Sequence, residues 1–185
     1  MKRLVPSKSL VAVIDVQERL ASAMPAERMA QLVQKTLILL GAAEVLGAPV
    51  VATQQYPKGL GPTVPELDHK LTSVNARRLD KMAFSAVGAP ELSSILAELR
   101  PPTAIVVGME THICVYQTVR DLVAQGIEVY VPVDAVISRR EEDRATGIAL
   151  CERTGAIPTT VEAVVFDWLE RAGTDAFRAV AKLVR

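Results

Sequence analysis

Three side chains with complementary chemistry stand out along the chain. They are a carboxylate, Asp15, which interrupts the apolar run of residues 10–14; an ammonium, Lys81; and a thiol, Cys114, which ends the segment Gly108-Met-Glu-Thr-His-Ile-Cys114. A thiol becomes a strong nucleophile once it loses its proton, a carboxylate can take that proton, and an ammonium can offset the resulting charge. Thr111 is placed to cap a helix starting here, which would put the sulfur in a first turn whose unpaired N–H groups stabilise a thiolate. The same N–H groups can cradle a tetrahedral oxyanion. Singly, each residue has an ordinary explanation: a strand-end Asp caps turns, a Lys is solvated, a Cys fills a core. Cys151, among Ile148, Ala149 and Leu150, reads as core. The chemistry therefore depends on the elements that would bring residues 15, 81 and 114 to one crevice.

Those elements are partly legible. Short β-rich apolar runs alternate with helical patterns, the mark of βαβ units and a parallel sheet covered on both faces. Strands are predicted at 10–15, 49–53, 103–108 and 127–132, with a weaker strand at 76–81 and a short one at 156–159, about six in all. Met29, Leu32, Val33, Leu37, Leu40 and Ala43 recur at three- and four-residue steps, which predicts a helix over 26–46 stopped by Gly47. Further helices are predicted at 90–99, 112–125, 139–154, 161–171 and 175–184. Ser138 and Glu141 have the spacing of a capping box for the 139–154 helix. The stretch 54–74, with Pro57, Gly59, Gly61, Pro62 and Pro65, reads as a long loop of the kind that often carries function. The expected fold class is α/β: one three-layer, Rossmann-like domain over residues 1–185. In such sheets ligands bind beyond the carboxyl ends of the strands, where Asp15, Lys81 and Cys114 fall.

Composition limits the partners. The 21 basic residues balance 21 acidic ones, so no global field steers the chain toward nucleic acid or anionic membranes, and a small-molecule substrate is expected. No segment reads as a membrane span or a signal peptide, and two sparse cysteines read as reduced, which points to the cytoplasm. Half the residues are hydrophobic, enough for a core with apolar surface left for a homo-oligomer.

The motifs together resemble the isochorismatase-like cysteine hydrolases. The match consists of Asp15-Val-Gln17 after the first strand, Lys81 followed by Ala83-Phe84-Ser85, the Gly108–Cys114 segment, and Asp134-Ala135 after the fifth strand. The resemblance implies a six-stranded parallel sheet, a catalytic triad of Asp15, Lys81 and Cys114, a non-proline cis peptide at Met109–Glu110, and an oxyanion hole from the backbone N–H groups of Glu110 and Cys114. It further implies hydrolysis of a small amide, ureide or carbamoyl C–N bond through a thioester. The nucleophile turn is most similar to that of isochorismatase domain-containing hydrolases, most of which lack an assigned substrate. Gln17, Tyr56, Phe84 and His112, each near a triad position, are the candidate pocket residues. Related nicotinamidases carry Asp-x-His after the second strand, where this chain has Gln54-Gln55-Tyr56. No metal or other cofactor is therefore expected, and His69 reads as a surface residue. A rival reading is a catalytically retired member that binds a metabolite or a protein.

Overall fold

The computed structural model describes residues 3–184. In chain order the strands are β1 (Ser9–Ile14), β2 (Val50–Gln55), β3 (Arg77–Lys81), β4 (Thr103–Met109), β5 (Glu128–Pro132), β6 (Val136–Ile137) and β7 (Ile157–Thr159). The helices are α1 (Glu18–Ala21), α2 (Ala26–Leu46), α3 (Pro57–Leu60), α4 (Pro65–Ser73), α5 (Pro90–Leu99), α6 (Tyr116–Ala124), α7 (Glu141–Arg153), α8 (Val161–Leu169) and α9 (Asp175–Val180). All strand pairings are parallel in the order β3-β2-β1-β4-β5-β7, with β6 paired to β4. The chain builds outward from β1 through β2 to β3, then returns to the other side of β1 as β4. The order thus reverses between β1 and β4, and such a reversal opens a crevice at the carboxyl ends of the two strands.

Side chains alternate across the central strands, so β1 serves two cores. Val11 and Val13 face a layer with Leu32, Leu39 and Leu40 of α2, Leu67 and Leu71 of α4, and Val164 and Trp168 of α8. Leu10, Ala12 and Ile14 face the opposite layer, with Leu92 and Ile95 of α5, Val119 and Leu122 of α6, and Cys151 of α7. Every residue of β1 is buried, which explains its unbroken apolar run.

Several expectations need correction. Residues 54–74 are not one long loop: β2 runs on to Gln55, and α3 and α4 occupy much of the rest. The prolines that suggested a loop instead start helices, because Pro57 and Pro65 stand at first positions where the missing N–H has no intrahelical partner anyway. The capping box does not form; Arg140 is the N-cap of α7 with no side-chain bond. The helix expected over 112–125 splits into a π-turn, Thr111–Val115, followed by α6. A seventh strand, β6, went unpredicted because two residues carry no periodic signal. α2 is also long and apolar enough, by length and composition, to cross a membrane; here Leu32, Thr36, Ile38, Leu39 and Leu40 pack it against the sheet layer.

Candidate active site

A buried ion pair lies beyond the carboxyl ends of β1, β2 and β3. Lys81 Nζ, at the end of β3, lies 2.6 Å from Asp15 Oδ2, and neither side chain has any exposed surface. Asp15 follows β1 with a left-handed φ of 51°, a conformation that Asp tolerates better than most residues. Its other oxygen, Oδ1, accepts a 2.7 Å hydrogen bond from the Thr53 hydroxyl. Lys81 Nζ further donates to Gln55 Oε1 at 2.7 Å, to the Phe84 carbonyl at 2.8 Å and to the Ala83 carbonyl at 3.2 Å. Gln55 is oriented in turn, since its Nε2 donates to the Met82 carbonyl at 2.9 Å. Thr53 and Gln55 were missed at the sequence level. Both are ordinary polar residues of β2, and only the β1–β2–β3 register sets them between Asp15 and Lys81.

Cys114 lies in the π-turn after β4. The Met109–Glu110 peptide that leads into it is cis, and the Glu110 carbonyl accepts from the N–H groups of Ile113 at 3.0 Å and Val115 at 3.2 Å. The turn needs two glycines. Gly108 has φ of 123°, and a Cβ there would stand 2.1 Å from the Ile14 carbonyl oxygen. Gly147 of α7 sits against the turn itself, where a Cβ would lie 2.6 Å from His112 N.

The electrostatics at the sulfur run opposite to the sequence expectation. Burial, and then the Asp15 charge, push the Cys114 thiol up to about 12, while Lys81 pulls it down; Asp15 as hydrogen-bond partner and the Glu110 charge add to the rise. At rest the residue is a neutral thiol beside a carboxylate, with only 6% of its surface exposed. Nor does Thr111 cap the turn: Glu110 occupies the N-cap position without a side-chain bond, and the buried Thr111 hydroxyl has no partner.

Of the candidate pocket residues, Gln17 is corrected. It is fully buried, its Nε2 donates to the carbonyls of Gln55 at 3.0 Å and Gly61 at 2.7 Å, and its Oε1 accepts from the Gln55 N–H at 2.7 Å. Its amide is engaged in bracketing β2 to the segment before α4. Tyr56 and Phe84 are about half exposed and the neighbouring Met82 is 72% exposed. The Tyr56 N–H donates to the Lys81 carbonyl at 2.9 Å. His112 is half-buried, with Nδ1 3.0 Å from Ser138 Oγ. Ser138 thus meets the π-turn of Cys114 rather than capping α7. Among the described residues, no group of three or more His, Cys, Asp or Glu side chains could hold a metal ion.

The Isochorismatase domain family matches residues 9–163. Isochorismatase domain-containing protein 1 of Danio rerio is 37% identical over 183 residues, covering 98% of this chain and 62% of that protein; the chain thus spans less than two thirds of that relative. The secreted isochorismatase effector Isc1 of Phytophthora sojae is 34% identical over 186 residues, covering 99% of this chain and 87% of the relative. Among solved structures, that of MAR1 ribonuclease from Caenorhabditis elegans superposes with a TM-score of 0.92 at 37% identity, covering 99% of this chain and 92% of the other.

Proposed function

The chain belongs to the Isochorismatase domain family, and on that premise we propose that it is a cysteine-dependent hydrolase of small amide, ureide or carbamoyl C–N bonds. The observation that carries this reading is the buried Lys81–Asp15 pair at 2.6 Å, whose two charges both act on the Cys114 thiol. Because the thiol rests protonated, the proton moves as the bond forms. Sγ attacks the carbonyl carbon while Asp15 takes the S–H proton, and Lys81 holds Asp15 in place and balances the charge passing through the site. The backbone N–H groups of Glu110 and Cys114 receive the oxyanion. Asp15 then gives its proton to the departing nitrogen, the C–N bond breaks, and a thioester to Cys114 remains. Water enters, Asp15 removes its proton, and collapse of the second tetrahedral intermediate releases the acid and restores the thiol. Tyr56, Phe84 and His112 are the candidate substrate contacts. The two free, buried cysteines suit a reducing compartment, and we place the protein in the cytoplasm.

The test is a panel of small amides, ureides and carbamoyl compounds assayed for ammonia release, with mass spectrometry of the Cys114 peptide for an acyl adduct. Turnover with an adduct, both lost in C114A, is expected. Binding without turnover would favour the retired-member reading. RNA cleavage in place of ammonia release would favour the activity named for the Caenorhabditis elegans relative, for which the balanced charge of this chain offers no support.

A further inference from the structure

The nucleophile turn is gripped along one side by a single segment. β4 ends beside β6 in parallel register, Gly108 against Val136 and Met109 against Ile137, and the contact then passes from backbone to side chains. Glu110 Oε2 accepts from Arg139 Nε at 3.1 Å and from the Arg139 backbone N–H at 3.3 Å. Two residues on, His112 meets Ser138. The Glu110 side chain is 6% exposed and that of Arg139 56%, so a buried carboxylate is met by a cation reaching in from the surface. A carboxylate this buried is costly unless paired, and Glu110 stands four residues from the nucleophile, on the residue whose carbonyl closes the π-turn.

We propose that Glu110 and Arg139 are positioning residues for Cys114: the pair fixes the turn that carries the sulfur, and Arg139 sets, by neutralising Glu110, how much negative charge the thiol faces. The consequence for turnover rests on the hydrolase reading, but the field at the thiol does not. The charges that act on the thiol are those of Asp15 after β1, Lys81 of β3 and, most weakly, Glu110 of its own turn; His112 and Tyr116 flank it in sequence. α7, packed on the turn, carries Glu141, Glu142, Asp143, Arg144, Glu152 and Arg153, of which Arg144 is bonded to Glu141 and to the Val136 carbonyl. α6 carries Arg120 and Asp121, bonded to each other. Among these, Glu110 is the carboxylate whose charge reaches the thiol from the same turn, and Arg139 is its counter-ion.

The experiment needs no substrate: alkylation of Cys114 by iodoacetamide in the full chain, read by mass spectrometry on the Cys114 peptide so that Cys151 does not contribute, at fixed pH values from about 7 to 9. Far below a thiol's pKa, the alkylation rate follows the thiolate fraction, so the two charges should act with opposite signs. R139Q leaves the Glu110 carboxylate without its counter-ion and should slow the reaction by about threefold or more, E110Q should speed it by a similar factor, and R139K should restore the wild-type rate. A purely structural clamp would loosen the turn in both variants and move both rates the same way; that result, or unchanged rates, overturns the proposal. Should R139Q fail to fold, E110Q still decides, since its amide keeps the shape of the side chain and no acceleration would refute the charge effect. If the hydrolase reading fails, the wild type releases no ammonia while the opposed alkylation shifts persist.

Discussion

Asp15 could be singled out in the sequence because a charge at the end of an apolar strand is unusual, whatever it does there, whereas Lys81 ends the mostly charged strand Arg77–Lys81 and stood out only in combination with Asp15 and Cys114. What surrounds them could not. The Lys81 ammonium meets acceptors from Asp15, Gln55, Ala83 and Phe84, an arrangement that lasts only while the Asp15 charge stays. D15N should therefore lower unfolding stability by about 3–5 kcal/mol, because it strands a buried cation, and should also abolish acyl-enzyme formation; denaturant melts together with adduct mass spectrometry check both. The thiol makes a second prediction. With Cys114 pushed up to about 12, its alkylation in the wild type should climb steadily with pH from about 7 to 9 without levelling. A plateau in that range would mean a resting thiolate, the state suggested by the first-turn position of Cys114 before its burial and the Asp15 charge were known.

α2 was visible from end to end, because twenty-one residues of sustained periodicity followed by a left-handed glycine leave little choice of element. The π-turn, β6 and the short α3 were not, since each is too brief to show a period and exists through its neighbours. Gly147 illustrates how one element shapes another. In an isolated helix, glycine to alanine would add up to about 1 kcal/mol of stability, yet here the new Cβ would stand 2.6 Å from His112 N and 2.7 Å from the Thr111 carbonyl carbon. G147A should push α7 off the nucleophile turn, with a lower melting temperature and a larger loss of turnover than of substrate binding. G108A should be worse, since its Cβ would meet Ile14 backbone on the neighbouring strand; little soluble protein is expected on expression.

At the scale of the whole molecule, burial of titratable groups couples folding to pH. The Cys114 and Cys151 thiols are both pushed from an ordinary 9.0 up to about 12, by burial first in each case. The folded state thus keeps protons that the unfolded chain releases. Their contribution to stability is complete below about pH 9 and is lost as pH rises toward 12, so the melting temperature should hold from about pH 7 to 8.5 and fall above it. The half-buried stripe of Met29, Val33 and Leu37 on α2 suits association with further copies of the chain, as the apolar composition suggests; light scattering at working concentration should report a mass above 19.9 kDa. By itself the sequence determined the parallel α/β architecture and pointed to Asp15, Lys81 and Cys114 at or beyond its strand ends as candidates, because hydrophobic period and charge placement are local properties of a chain. Only the tertiary structure decided that Gln17 is a bracket, that Gln55, Thr53 and the Glu110 side chain belong to the site, and that the thiol rests protonated. Strand order, register and desolvation are set by residues far apart in the chain, and no window of sequence contains them.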